Sequence, residues 1–129
     1  MIVLDTHVVI WWLDGSSRLS SRARDEIERE PRVMIPDIVC WEMAQLVLRG
    51  RLGLASTAEA VLSELFSEPG MFSQPITPAI GQRAAGLVAP NLHLDPADKL
   101  IAATALELDC PLVTADERLH TLPGLRVLW

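Results

Sequence analysis

Hydrophobic and polar residues divide this chain into two kinds of segment. Five short apolar runs predict buried β-strands, and they lie at residues 2–4, 33–35, 71–76, 112–114 and 126–129. The longer segments between them repeat apolar residues at helical spacing and predict helices over residues 7–13, 20–30, 37–48, 56–67, 77–88 and 95–108. Strands and helices therefore alternate along most of the chain.

Several helix boundaries follow from local start and stop signals. Gly50 lies just after an apolar-periodic segment and is a predicted helix stop. Ser56 and Glu59 have the three-residue spacing of a capping box. Thr77 followed by Pro78 is typical of a cap and the first helical position.

The last predicted helix begins at Asp95 and Pro96, after a loop predicted at residues 91–94. It is almost entirely apolar, so we expect it to be central and buried. Alternating strands and helices predict an α/β fold, a three-layer α/β/α sandwich with a mostly parallel central sheet. The length predicts one domain over residues 1–129.

Four acids occupy places that this fold brings together. Asp5 and Asp116 follow predicted strands, whereas Glu42 and Asp98 lie on predicted helices. In an open α/β sheet such side chains meet in the crevice beyond the carboxyl ends of the strands. Converging carboxylates are ligands for a hard cation such as Mg²⁺, which organises phosphate chemistry.

Each acid also has a purely structural explanation. Glu42 fits a solvated polar stripe on its helix. Asp95 fits an N-cap, and Asp98 fits a partner of the helix dipole, contributions of about 0.5 to 1 kcal/mol each. Asp5 and Asp116 fit a strand end and a turn. A cap alone does not explain why Asp98 lies on a helix predicted to be buried.

Composition narrows the class of protein. Half of the residues are hydrophobic, and the longest unbroken apolar run is six residues at 8–13, whereas a membrane span needs about 20. The first residues carry no basic flank of a signal peptide. Cys40 and Cys110 are isolated, which suits a reducing compartment. We therefore expect a cytoplasmic protein with no membrane segment.

The net charge of −6 argues against a protein that holds nucleic acid mainly through a basic surface. An anionic substrate would then need a metal cation to offset the repulsion. Other signals are weaker. The three histidines lack metal-ligand spacing, and the four tryptophans, on apolar faces, are predicted core residues. The chain has neither a Gly-x-Ser-x-Gly elbow nor a Gly-Lys-Ser/Thr phosphate loop.

Motifs along the whole chain match the order found in a known family. They are Asp-Thr-His at residues 5–7, Trp-Trp-Leu at 11–13, Arg-Gly-Arg-Leu at 49–52 after Glu42, the helix start at 95–105, and Leu-Val-Thr-Ala-Asp at 112–116. With these motifs the chain resembles PIN-domain ribonucleases, and in particular the VapC toxins of bacterial type II toxin-antitoxin modules. The segments at 95–105 and 112–116 are the most specific parts of the resemblance.

The resemblance implies a PIN-like nuclease domain over residues 1–129, with Asp5, Glu42, Asp98 and Asp116 as its acidic quartet. Thr6 and Thr114 would support these carboxylates. The resemblance also implies a homodimer and a cognate antitoxin that blocks the acidic cleft.

The expected activity is metal-dependent hydrolysis of RNA phosphodiester bonds by a toxin-antitoxin endoribonuclease. Asp5 and Asp98 would bind Mg²⁺ or Mn²⁺ directly, while Glu42 and Asp116 would complete the shell, hold a second ion or orient the water. Candidates for contacts to the RNA backbone are Arg18, Arg49, Arg51 and Arg118.

Two alternatives stay open at this point. A PIN-like binding module with weak or no catalysis would keep the same carboxylates. A Mg²⁺-dependent phosphotransfer domain would also place acids at strand ends, but its usual paired N-terminal acids are absent, because Asp5 is followed by Thr6 and His7.

Overall fold

A computed structural model describes residues 1–52, 57–88 and 93–129. Within these ranges, five strands form one sheet in the order β3-β2-β1-β4-β5. The strands are β1 Ile2–Leu4, β2 Val33–Pro36, β3 Met71–Gln74, β4 Leu112–Val113 and β5 Val127–Leu128. All four neighbouring pairs are parallel, which confirms the predicted α/β class.

In the part of the chain that the structure describes, six α-helices connect the strands. They are α1 Thr6–Leu13, α2 Ser21–Arg29, α3 Asp37–Leu48, α4 Ala58–Ser67, α5 Pro78–Gly86 and α6 Pro96–Glu107. A 3₁₀ turn at Leu119–Thr121, which the sequence pattern did not predict, joins β4 to β5.

Most predicted boundaries hold to within two residues. β3 ends at Gln74 and not at residue 76, because its partner β2 pairs only as far as Pro36 before the chain turns into α3. Thr57 caps α4 and accepts a hydrogen bond from the backbone N of Ala60 at 3.2 Å. The predicted cap Ser56 lies outside the described residues, as do positions 91 and 92 of the predicted loop.

Burial of the strands shows that the sheet is covered on both faces. Successive side chains of a strand point to opposite faces, yet every residue of β1, β2 and β4 is buried. Helices therefore pack on both sides, and the predicted three-layer sandwich is confirmed. The prediction that α6 is buried is also confirmed, since six of its twelve residues are buried.

The strand order places a switch point beside β1. The chain proceeds from β1 to β2 and β3 on one side of the sheet, and then crosses back to add β4 on the other side of β1. Ligands of open α/β sheets bind where the strand order reverses, beyond the carboxyl ends of the strands. A ligand site is therefore expected at the carboxyl ends of β1 and β4.

Candidate active site

Asp5 follows β1 directly and is the N-cap of α1. Its Oδ1 accepts a hydrogen bond from the backbone N of Thr6 at 2.6 Å, and its Oδ2 accepts one from the hydroxyl of Thr114 at 2.6 Å. The residue is only 6% exposed. A carboxylate at this depth needs such donors, because an unpaired buried charge is strongly destabilising.

Thr114 connects the ends of two neighbouring strands. Its buried hydroxyl donates to Asp5 and accepts from the backbone N of Asp116 at 3.0 Å. The imidazole Nε2 of His120 lies 3.2 Å from the backbone oxygen of Thr114. Thr114 thus lies where the sequence resemblance placed it, against the quartet acids.

Glu42 reaches the same region from the middle of α3. The hydroxyl of Thr6 donates a short hydrogen bond to the Glu42 carboxylate, so α1 and α3 meet at this point. The pKa of Glu42 lies above its usual value. Burial is the main cause and the charge of Asp5 adds to the rise, while the bond from Thr6 opposes it. The polar face shared by Glu42, Gln45 and Arg49 borders a cleft and is not merely a solvated stripe.

Asp98 occupies the first turn of α6, and Asp95 caps that helix by accepting from the backbone N of Asp98 at 3.0 Å. Burial raises the pKa of Asp98 to about 6, and the charge of Asp95 adds to the rise while Arg118 opposes it. The site therefore crowds negative charge. Sequence reasoning treated Asp95 as a cap alone, although the Asp-Pro-Ala-Asp spacing already placed both acids in one helical turn.

Arg118 lies between two of the acids. Its Nε is 3.0 Å from both carboxylate oxygens of Asp116, and its Nη2 is 2.9 Å from Oδ2 of Asp98. The hydrogen bonds from the Arg118 side chain to Asp116 lower the pKa of Asp116 below its usual value. A single guanidinium thus bridges the strand acid and the helix acid.

The predicted quartet surrounds one cleft of about 290 Å³. Its lining comprises Asp5, Thr6, His7, Trp41, Glu42, Gln45, Leu46, Arg49, Asp95, Asp98, Asp116 and Arg118. Arg18 borders an adjoining depression shared with Asp5, His7 and Arg118. Arg51 is exposed beyond the end of α3 and is not among the described residues that line either surface.

The donor set suits a hard divalent cation. Carboxylate and hydroxyl oxygens are the ligands that Mg²⁺ prefers, and the carboxylates of the quartet and the Thr6 side chain line this one cleft. Within the described ranges, however, no three His, Cys, Asp or Glu side chains are gathered into a ready ion site.

An apolar pocket adjoins the cleft, lined by Asp37, Ile38, Trp41, Glu42, Ile76, Asp95, Pro96 and Ala97. Trp41 borders both spaces and is 57% exposed, so the prediction that it is a core residue was wrong. Glu42, the next residue, lines the cleft. Successive residues of a helix are about 100° apart, so Trp41 lies to one side of Glu42, where the cleft meets the apolar pocket. Trp11, Trp12 and Trp129 do pack against the core, as predicted.

A model of the PIN domain matches residues 2–125 of this chain. The chain is a PIN-domain protein. Across 99% of its length it is 35% identical to Ribonuclease VapC22 of Mycobacterium tuberculosis, of which it covers 98%. It therefore belongs with the VapC proteins, and the alternative of a Mg²⁺-dependent phosphotransfer domain is not supported.

Solved structures agree on the fold of this PIN domain. The DNA-bound VapBC complex of Salmonella typhimurium superposes with a TM-score of 0.72 at 17% identity, over 98% of this chain and 96% of that one. VapC20 of Mycobacterium tuberculosis, described as a sarcin-ricin loop cleaving toxin, gives 0.68 at 16% identity, over 98% and 99%. No helix among the described residues is long and apolar enough to cross a membrane.

Proposed function

We propose that this PIN-domain protein is a divalent-metal-dependent endoribonuclease, the toxin of a toxin-antitoxin module. The observation that carries the proposal is the convergence of Asp5, Glu42, Asp98 and Asp116 on one cleft at the switch point of the sheet. The 35% identity to a ribonuclease over nearly the whole chain supports RNA as the substrate.

Asp5 and Asp98 would hold Mg²⁺ or Mn²⁺, with Glu42 and Asp116 completing the donor set. When bound, such an ion lowers the pKa of a water molecule and offsets charge on a phosphate. The reaction adds water to phosphorus and breaks one phosphorus–oxygen bond. No protein nucleophile is needed.

The residues around the acids fix their orientation. Thr6 and Thr114 hold both oxygens of Asp5, so the carboxylate cannot rotate away from the cleft. Thr6 also holds Glu42. Pre-orientation of this kind matters because a small misplacement of reacting groups costs much of the rate. Arg49 on the rim supplies a guanidinium for a phosphate of the RNA backbone.

The partner is proposed from the charge and from the structural neighbours. Several of those neighbours are toxin-antitoxin complexes, so we propose that this chain also binds a cognate antitoxin. We expect the antitoxin to place an Arg or Lys in this carboxylate-lined cleft. Either side chain would neutralise the acids, and the guanidinium of Arg can also pair with a carboxylate through two hydrogen bonds. The homodimer, the single domain over residues 1–129 and the cytoplasmic location stay predictions.

Cleavage assays with matched acid variants test the proposed activity. Purified protein is incubated with a pool of structured RNAs in Mg²⁺ or in EDTA, and the cut ends are sequenced. We expect cleavage in Mg²⁺ only, and a loss of at least about 100-fold in Asp5→Asn and in Asp98→Asn, because each keeps the shape but removes a metal-binding charge. Asp25→Asn, an exposed acid on α2, is the control and should cleave normally.

Two outcomes would contradict the proposal. If Asp5→Asn or Asp98→Asn has the circular dichroism of the wild type and cleaves at its rate, the acids are not the catalytic set. If the wild-type protein binds Mn²⁺ and RNA but never cuts, the alternative of a PIN-like binding module is correct.

A further inference from the structure

Arg118 makes more contacts than a surface arginine that steers a substrate needs. Its side chain bonds Asp116 and Asp98 and donates through Nη1 to the backbone oxygen of His93 at 2.8 Å. Its backbone N also donates to Oδ1 of Asp116 at 2.9 Å. The guanidinium is thus held by a strand end, a helix and a loop.

The geometry puts this cation on oxygens that the proposed metal would use. Both bridged acids belong to the quartet, and their side chains are 16% and 22% exposed. Asp116 cannot bond Nε through both oxygens and also offer those lone pairs to an ion. A guanidinium and a divalent cation on these carboxylates therefore compete, because they use the same acceptor oxygens and their positive charges repel each other.

We propose that Arg118 is a built-in counterion of the acidic cleft, which competes with the divalent cation for Asp98 and Asp116. The proposal rests on the proposed function of the site. Without a metal, Arg118 keeps the two carboxylates together. When an ion binds them, the guanidinium is released at the mouth of the cleft.

The exposure of Arg118 allows this exchange. Its side chain is 47% exposed, so it can leave without unpacking the core. It also borders the depression shared with Arg18 and His7, where a released guanidinium faces solvent beside the acids. In that position it can contact a phosphate of bound RNA. Arg118 is then a positioning residue: it bonds the carboxylates of Asp98 and Asp116 when the metal is absent, and it contacts the RNA when the metal is bound.

Direct metal titration distinguishes competition from a structural role. The dissociation constant for Mn²⁺ is measured by isothermal titration calorimetry for the wild type, Arg118→Gln, Arg118→Lys and Arg83→Gln. Arg83 is a matched control because it is also 47% exposed and bonds an acid, Glu107, at 2.7 Å outside the cleft.

We expect Arg118→Gln to bind Mn²⁺ about two- to tenfold more tightly than the wild type, the range of one partly exposed ion pair or slightly more. Arg118→Lys should lie between them, because lysine keeps the charge but cannot make the forked contacts. Arg83→Gln should match the wild type. In RNA cleavage, Arg118→Gln should need less Mg²⁺ for half-maximal rate while its maximal rate falls.

Equal or weaker Mn²⁺ binding by Arg118→Gln, with native circular dichroism, would overturn the proposal, because removal of a competing cation must strengthen metal binding. If Arg118→Gln is unfolded, a wild-type affinity in Arg118→Lys would overturn it. Absence of Mn²⁺ binding in every protein would instead contradict the metal dependence under Proposed function, and the competition with it.

Discussion

Thr114 is the residue on which the geometry of the site most depends. Its one hydroxyl donates to Asp5 and accepts from the backbone of Asp116, residues that lie on either side of the switch point. The bond to Asp5 spans 109 positions of sequence. Removing the hydroxyl leaves the buried Asp5 with one donor fewer, which is costly because a buried carboxylate loses its hydration as well.

We expect Thr114→Val to lose about 1 to 3 kcal/mol of stability and about 10- to 100-fold in RNA cleavage. Valine keeps the shape but not the hydrogen bonds. Thr114→Ser should recover most of both properties. Urea unfolding and initial cleavage rates measure them.

Thr104→Val is the matched control, since the Thr104 hydroxyl donates within α6 to the backbone oxygen of Leu100 at 2.8 Å. It should cleave normally. Wild-type cleavage by Thr114→Val would show that Asp5 does not need this support.

At the scale of elements, α3 and α6 end in the same backbone conformation but with different residues. Gly50 follows α3 with a φ of 63°, and Asp109 follows α6 with a φ of 47°. Glycine adopts this left-handed conformation freely, whereas any side chain is strained there. The stop at Gly50 was predicted from sequence, but an aspartate in the same role gives no comparable signal.

We expect Gly50→Ala to lose about 1 kcal/mol of stability and Asp109→Gly to gain about 0.5 to 1 kcal/mol. Nothing lies within 4 Å of a Cβ added at Gly50, so the loss there is purely conformational. The side chain of Asp109 is 98% exposed and bonds Arg126 at 3.2 Å, an ion pair that contributes little.

Urea unfolding of both variants measures these changes. Their opposite signs provide the internal control. Destabilisation by Asp109→Gly would mean that the contact with Arg126 outweighs the backbone strain.

At the scale of the whole molecule, an acidic protein is proposed to act on an acidic polymer. The net charge is −6, and the arginines that border the cleft and its adjoining depression are Arg18, Arg49 and Arg118. Counterion release scales with the number of phosphates neutralised. Few contacts therefore predict weak dependence of RNA binding on salt.

The test uses Asp5→Asn, the variant expected not to cleave, and short single-stranded RNA. We expect the logarithm of its association constant, plotted against the logarithm of salt concentration, to have a slope no steeper than about −2 to −3, since each neutralised phosphate contributes about −0.7. Fluorescence anisotropy across a salt series measures it. Arg49→Gln should flatten the slope by about 0.7, and Arg83→Gln should leave it unchanged. A slope near −6 would point to a basic surface beyond these three arginines.

The sequence by itself determined the elements and the class of fold. Helical periodicity, caps and apolar runs act over a few residues, so they are readable locally, and the bounds of α3 at Asp37–Leu48 agree with the prediction. Parallel strands in alternation with helices bring their carboxyl ends to one edge. That rule was enough to predict that Asp5, Glu42, Asp98 and Asp116 would surround one cleft.

Only the tertiary structure decided how those side chains are used. The Thr6 bond to Glu42 and the Arg118 bond to Asp98 join residues that lie 36 and 20 positions apart, and no local pattern relates them. The exposure of Trp41 likewise depends on which neighbours α3 meets, and its apolar character alone predicted the opposite. Periodicity reports which face of a helix is apolar, but contact, charge pairing and access to a cleft depend on packing between distant segments.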